Sequence, residues 1–350
     1  VSLLEELGGW PAVLAPLCAG TDLTREQASA AMAEILGGEA TPAQIAAFAI
    51  GLRIKGETVA EMAGLVAAML AFAEPVPLTA ATATAVIDTC GTGGDRSGTI
   101  NVSTIAAFVA AGAGAKVCKH GNRAASSKAG SADVLEALGV AIDLGPAGVA
   151  RCVEEAGMGF CFAARFHAAM RHAIPVRREL GVPTVFNFLG PLANPARVRR
   201  QVVGVSDPRM AEKVLGVLQA NGAERAFVVY GHDGLDELTT AGASTVHELD
   251  GGEVRSFRVD PGALGLRPAD RDDLVGGDAA TNAGFARQVL DGVAGAKRDI
   301  VVLNAAAALV VAGCAADLAE GVGAAQASID TGKAAGVLDA LAKVSTAAAA

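Results

Sequence analysis

A chain of 350 residues with 52% hydrophobic but only 4% aromatic content must build its core from small and branched aliphatic side chains, which favours close-packed helices over a β-sandwich. A formal net charge of −9 excludes a broad nucleic-acid surface and leaves room only for local basic pockets. The six cysteines, Cys18, Cys90, Cys118, Cys152, Cys161 and Cys314, form neither a CxxC pair nor a zinc spacing, so reduced thiols in a cytoplasmic protein are expected.

The opening VSLLEELGGW has no basic segment, and no secretory signal is expected there. Residues 105–117 and 300–316, the most apolar stretches, include Lys116 and Asn304 and fall short of a clean membrane span. The first eighty residues predict helices in series. Thr24 with Gln27, Thr41 with Gln44 and Thr58 with Glu61 each have capping-box spacing, and Pro42 takes the first helical position after its cap. Ile45, Phe48, Ala49 and Leu52, then Met62, Leu65, Val66 and Met69, recur at helical spacing as core or subunit contacts. Residues 73–85, with two prolines among small polar residues, read as a linker. The boundary between a small helical domain, 1–78, and a large α/β domain, 79–350, is expected there.

Residues 85–87 read as a short buried strand, followed downstream by Gly91, Thr92, Gly93, Gly94 and Asp95. Three glycines in four positions let a backbone approach a ligand with no Cβ in the way. Asn101, Ser103 and Thr104 then open an apolar helix. Strand, glycine loop and polar helix entrance together make an anion site from backbone N–H groups and a helix dipole. The added Asp95, Asn101, Ser103 and Thr104 point to a phosphorylated ligand carrying hydroxyls and metal. A second strand is predicted at 115–118, followed by Lys119, His120, Gly121, Asn122, Arg123, Ala124, Ala125, Ser126 and Ser127. Lysine and arginine attract phosphate while serine hydroxyls and loop amides direct it. Ser131 is expected to cap a helix at 132–138, ended by Gly139.

Further on, a helix at 146–156, a strand at 160–162, a helical stretch at 167–180 and strands near Val202 and at 226–230 continue the alternation. Such alternation implies a mostly parallel central sheet with helices on both faces. Two short runs, 246–249 and 254–259, flank Asp250, Gly251 and Gly252 and predict a hairpin. Segments 285–290, 301–311 and 335–341 read as alanine-rich helix and buried strand. Asp236 and Glu237 follow the 226–230 strand, and hard oxygen ligands at a strand's carboxyl end suit Mg²⁺, although adjacent acids are commonly just surface charge.

Taken together, GTGGD, NVST, KHGNRAASS with GSADVLEALG, VRRELGVPTVFNFLGPLANP and DGLDELT occur in an order that resembles the anthranilate phosphoribosyltransferase family of tryptophan biosynthesis. The resemblance runs from the capped N-terminal helices to the alanine-rich C-terminus. It implies a small helical domain hinged to a large α/β domain, joined by helices from about 168–195, and a homodimer formed through the small domain. The implied reaction transfers the phosphoribosyl group of phosphoribosyl pyrophosphate to the amine of anthranilate. Carried over by residue, it assigns to the donor Gly91, Gly94, Asp95, Thr99, Asn101, Val102, Ser103, Thr104, the segment Lys119 to Ser127, and Ser131. It assigns Gly91, Asn122 and Arg177 to anthranilate, and Ser103, Asp236 and Glu237 to Mg²⁺. Without the resemblance Arg177 would be one basic residue of a helix face, and His120 either lines the anthranilate path or orients its loop.

Three positions depart from the family pattern. Arg96 stands where glycine is common after GTGGD, which puts the local turn in question, and Ala164 and Ala168 replace prolines, implying a less rigid hinge. Other readings are a nucleoside phosphorylase of the related fold and a nucleic-acid-binding relative without the chemistry. The intact glycine, KHGNR and Asp-Glu motifs weigh against the first. The acidic pair and net charge weigh against the second, leaving no nucleic-acid or membrane partner expected.

Overall fold

The computed structural model describes residues 2–124 and 128–350. Each of the three capping boxes forms: the hydroxyls of Thr24, Thr41 and Thr58 accept from the backbone of Gln27, Gln44 and Glu61, whose side chains accept in return from the cap N–H groups. A cap of this kind is worth about 1 kcal/mol. The helices Arg25–Gly37, Pro42–Lys55 and Val59–Phe72 that they start bury Met32, Phe48, Leu52, Met62 and Leu65 completely. Glu61 does more than cap. Its buried carboxylate also accepts from Leu23 N at 2.8 Å and from Lys55 Nζ at 3.0 Å, tying three segments together.

Among the described residues seven strands form one sheet: β1 (Ile87–Gly91), β2 (Val117–Gly121), β3 (Met158–Phe162), β4 (Arg200–Gly204), β5 (Arg225–Gly231), β6 (Ser244–Asp250) and β7 (Glu253–Val259). Their order is β3-β2-β1-β4-β5-β6-β7, parallel from β3 to β5 and antiparallel thereafter. The fold is therefore an α/β domain with a mostly parallel sheet, preceded by a small helical domain. Succession runs one way from β1 to β3 and the other way from β4, so the seam between β1 and β4 is a topological switch point, where ligands of open α/β sheets bind. Alternate residues along the strands serve opposite faces. Val202, Phe227 and Val229 join a core with helices Val102–Gly112 and Ala296–Ala312, whereas Cys90, Val203 and Val228 join one with the N-terminal helices.

Several sequence expectations need correction. The strand expected at 85–87 starts only at Ile87 and continues through Asp88, Thr89 and Cys90 to Gly91, all paired with β4. Those polar residues are tolerated because buried partners satisfy them. Likewise β2 extends through Lys119 and His120, which belong to the strand rather than to the loop. Helix Ala80–Ala85 interrupts the linker: Thr79 caps it, and the Thr79 and Thr82 hydroxyls donate to Glu154 at 2.9 and 2.8 Å. Ser131 is the first residue of its helix rather than the cap. Gly130 occupies the cap, and Asp133 accepts from its N–H at 2.9 Å. The C-terminal region holds helices Ala279–Leu290, Ala296–Ala312, Leu318–Asp330 and Lys333–Ala349, without the expected buried strand among its described residues. Ala296–Ala312 is buried on nearly every side, which erases the periodicity that separates helix from strand. The hairpin forms as expected, with Gly251 at φ 57° and Gly252 at φ 96°.

Candidate functional site

The carboxyl ends of β1 and β4 are locked edge to edge. Thr92 N donates to Gly204 O at 2.9 Å, Ser206 N donates to Thr92 Oγ1 at 3.2 Å, and Ser206 Oγ donates to Gly93 O at 2.9 Å. From this platform the loop rises through Gly93 (φ 67°) and Gly94 (φ 83°), left-handed conformations that glycine adopts at no steric cost. Arg96 also lies in the left-handed region, at φ 55°, so the chain makes here with arginine the turn usually made with glycine. Asp95 accepts from Ser97 N at 3.2 Å, and the Ser97 and Thr99 hydroxyls are 3.1 Å apart.

Into this loop the structure brings the acidic pair. Asp236 Oδ2 accepts from Gly93 N at 2.7 Å, and Glu237 Oε1 accepts from Ser103 N at 3.1 Å in the first turn of helix Val102–Gly112. The fit is close: a Cβ on Gly91 would overlap Asp236 Oδ2 and stand 3.1 Å from its Cγ. Burial raises the pKa of Asp236, as does the neighbouring Asp95. Burial and then Asp236 raise that of Glu237, against the opposing pull of Lys119 and the Ser103 N–H. The cluster is short of positive charge. Two carboxylates and the Ser103 hydroxyl are hard oxygen donors, so a divalent cation fits this deficit. Among the described residues no three His, Cys, Asp or Glu side chains converge to hold a metal by themselves. That suits Mg²⁺, which takes one or two carboxylates and completes its shell with water and phosphate oxygens.

Lys119 is the buried cation of the site, 2% exposed, with Nζ donating to Thr89 O and, at 3.2 Å, to Ser103 Oγ. His120 turns away from the acids. Its Nδ1–H donates to the Gly190 carbonyl at 3.0 Å, and its ring lies 5.1 Å from that of His167, whose Nε2–H donates to Ala193 O at 2.8 Å. Burial, and then His167, push the His120 pKa down to about 3, so the ring is neutral and Nε2 is an acceptor without a partner among the described residues.

The remaining expected donor-site residues divide. Val102 and Thr104 are buried at the helix start. Asn101 Nδ2 donates to Ala129 O at 3.1 Å, and Asn101 Oδ1 accepts from Asn282 Nδ2 at 2.9 Å, so its side chain secures neighbouring segments. Gly121 ends β2, and the Asn122 carbonyl accepts from Ser131 Oγ at 3.3 Å. Arg123 is engaged by Asp133 and Glu136, both at 2.8 Å, over the Phe162 ring. Ala124 N donates to Asp133 Oδ2 at 3.0 Å. Ala125, Ser126 and Ser127 lie outside the described residues. Arg177, on helix Ile174–Leu180, stands over the Phe186 ring at 5.6 Å, with burial lowering its pKa and no carboxylate paired to it among the described residues. No hydrogen bond joins it to the glycine loop. Ala164 and Ala168 fall in the short helices Ala163–Phe166 and Ala168–His172. Sequence reasoning missed Asp88, Asn194, Gln201 and Ser206, and only the lone acid in an apolar run hinted at the first.

Comparison with known proteins bears on this geometry. Residues 11–73 match a glycosyl transferase family helical bundle domain, and residues 83–335 match a glycosyl transferase family a/b domain. The anthranilate phosphoribosyltransferase of Roseiflexus castenholzii is 56% identical over 93% of this chain and 96% of its own length. That of Arthrobacter sp. (strain FB24) is 55% identical over 94% of each. The crystal structure of the Thermus thermophilus enzyme superposes with a TM-score of 0.90 at 40% identity, covering 95% of this chain and 99% of that one. The Saccharomyces cerevisiae enzyme in complex with PRPP and Mg gives a TM-score of 0.87 at 26% identity, covering 97% and 98%.

Proposed function

The chain belongs to the anthranilate phosphoribosyltransferase family, and from that premise we propose how its own residues carry out the reaction. The enzyme transfers the phosphoribosyl group of phosphoribosyl pyrophosphate to the amine of anthranilate, releasing pyrophosphate, in tryptophan biosynthesis. The observation that carries the residue assignment is the acidic pair seated on the glycine loop, Asp236 on Gly93 N and Glu237 on Ser103 N, with buried Lys119 beside Ser103.

Breaking the anomeric bond leaves positive charge on the ribose and negative charge on pyrophosphate. Asp236, Glu237 and the Ser103 hydroxyl would hold Mg²⁺, which when bound supplies charge neutralisation of the pyrophosphate oxygens. Lys119 directs its ammonium to the same end, and the N–H groups of Gly94 and Asp95, beyond those that bind Gly204 and Asp236, cradle the phosphates. Gly91 and Asn122 border the acceptor, while Arg177 offers a planar pair of N–H donors to the anthranilate carboxylate. The aromatic amine loses its proton readily once the new C–N bond forms, so no strong general base is required. Positioning and leaving-group stabilisation dominate.

The boundary near residue 78, with residues 168–195 joined to the helical domain, is part of the same proposal. It is supported by Ala173, Val176, Val185, Phe186 and Leu189, which share one core with the N-terminal helices. Exposed Leu3 in the short helix Leu3–Glu6, Leu7 at its end and Ile54 in helix Pro42–Lys55 support a homodimer formed there. A cytoplasmic setting is supported by six free cysteines, and no helix among the described residues is long and apolar enough to cross a membrane. Loss of anthranilate fluorescence that requires both phosphoribosyl pyrophosphate and Mg²⁺ is the expected result of the deciding assay. Steady fluorescence with all components present would refute the reading.

A further inference from the structure

β1 and β2 are adjacent in the sheet yet pair only at Ile87 and Val117, whereas β1 runs in full register with β4 and β2 with β3. Past that single pair the two strands are held by side chains exchanged in both directions. Asp88 Oδ1 accepts from His120 N at 3.1 Å, and Lys119 Nζ donates to Thr89 O. Asn194 lies in the same gap. Its Nδ2 donates to Asp88 Oδ2 at 2.9 Å and to Cys118 O at 2.8 Å, while its Oδ1 accepts from Ala196 N at 2.8 Å. Gln201 Nε2 adds a long bond to Asp88 Oδ2 at 3.4 Å and a short one to Pro191 O at 2.6 Å.

Asp88 is fully buried. No cation touches it in an ion pair among the described residues, although a buried carboxylate without one is costly. A neutral or apolar residue would serve a purely structural strand better. What the carboxylate does provide is a set of acceptors facing a main-chain donor of β2 and side-chain donors from residues 194 and 201. It thereby fixes the distance between the strands that carry Thr89 and Lys119. The Lys119 ammonium has little freedom of its own, because its reach to Thr89 O and Ser103 Oγ depends on that distance.

We propose that Asp88 is a positioning residue for the transfer reaction: with Asn194 it sets the gap between β1 and β2, and so places the Lys119 ammonium against the leaving pyrophosphate. The proposal rests on the role given above to Lys119, and its test separates the two. Asp88→Asn keeps the volume but turns a donor towards Asn194 or towards His120 N. Turnover should fall by about ten- to a hundredfold, as when other supports of a catalytic group are removed, with the anthranilate KM little changed. In a Lys119→Met background the same change should cost less than about threefold, since the group it aims is already gone. Asn194→Ala removes the donor from Asp88 Oδ2 while leaving Asp88 Oδ1 to His120 N, and it should lower turnover in the same way, again by less than about threefold in the Lys119→Met background. Calorimetric titration with pyrophosphate and Mg²⁺ over the same set of variants reads the coupling without any turnover. Losses that multiply in either double variant, or folded Asp88→Asn and Asn194→Ala enzymes with wild-type turnover, would each overturn the proposal. If the wild type transfers nothing, the function reading fails, and the pyrophosphate titrations still decide whether Asp88 acts through Lys119.

Discussion

Gly91→Ala is a small change aimed at one atom. Gly91 does not lie in the left-handed region, so alanine can follow its backbone, and the largest effect comes from a methyl group that overlaps Asp236 Oδ2 and stands 3.3 Å from the Asp236 carbonyl. Ordinary van der Waals contact begins near 3.4 Å, which requires the carboxylate to retreat by about 1 Å and to stretch its bond from Gly93 N. Misplacing a catalytic group by about 1 Å costs on the order of a hundredfold, equivalent to about 2.7 kcal/mol in the barrier. Turnover at saturating substrates should therefore fall about a hundredfold, and the Mg²⁺ concentration for half-maximal rate should rise. Gly98→Ala is the control, because φ there is 65° but a Cβ meets nothing within 4 Å. It should cost about 1 to 2 kcal/mol of stability through backbone strain and leave the Mg²⁺ dependence unchanged. Initial rates over a Mg²⁺ series, with circular dichroism on each variant, make the comparison. A folded Gly91→Ala enzyme with wild-type rate and Mg²⁺ response would show that the Asp236 carboxylate is not a working part of the site.

Arg177→Ala should raise the anthranilate KM about ten- to a hundredfold, the equivalent of a charged hydrogen bond of about 1.5 to 3 kcal/mol, and change the donor KM much less; an equal loss for both substrates would make Arg177 structural. Asp236 and Glu237 have folded-state pKa values raised above their unfolded ones, so their contribution to stability is present below about pH 4 and is lost as pH rises through the raised values. With a chelator present, the melting temperature of the wild type should drop over that window relative to D236N/E237Q and Mg²⁺ should restore it, whereas D236N/E237Q should not respond to Mg²⁺. His120 has the opposite sign: its folded pKa, about 3, lies below the ordinary 6.5, so its contribution is complete above pH 6.5 and lost as pH falls towards 3. At pH 5 the loss is about 2 kcal/mol, and the wild type should lose melting temperature relative to His120→Gln between pH 7 and pH 5; parallel curves for the two proteins would exclude His120 as the cause.

The N-terminal helices were legible because their start signals are local: Thr24, Thr41 and Thr58 each find a partner three residues on. Strand limits were not. Asp88 and Lys119 look like loop residues in the sequence, and their places in β1 and β2 depend on partners such as His120 N, Asn194 and Ser103 that lie far along the chain. The cap near Ser131 failed for a related reason. Asp133 reaches back to Gly130 N and also binds Ala124 N, so the acid three residues in, rather than the hydroxyl, organises that turn. At the site, the glycine loop was visible as a motif, but nothing short of the folded chain brings Asp236 to Gly93 N. Nor does any local pattern signal that Arg123, read as a phosphate ligand, pairs with Asp133 and Glu136.

The seam between β1 and β4 also bears on how the molecule comes into being. Cys90 and Val202, in its neighbouring strands, are 112 positions apart, and the bond from Gly93 to Asp236 spans 143. Contacts of such separation carry a high loop-closure entropy and slow folding relative to local helix pairing. During synthesis the helices Arg25–Gly37, Pro42–Lys55 and Val59–Phe72 can form well before β4 exists, but the glycine loop has no platform until Gly204 and Ser206 have emerged and no acidic partner until Asp236 has. Transferase activity then requires a chain synthesised at least through Asp236 and Glu237, and amide protection at Gly93 should be among the last to appear in a pulse-labelled refolding reaction.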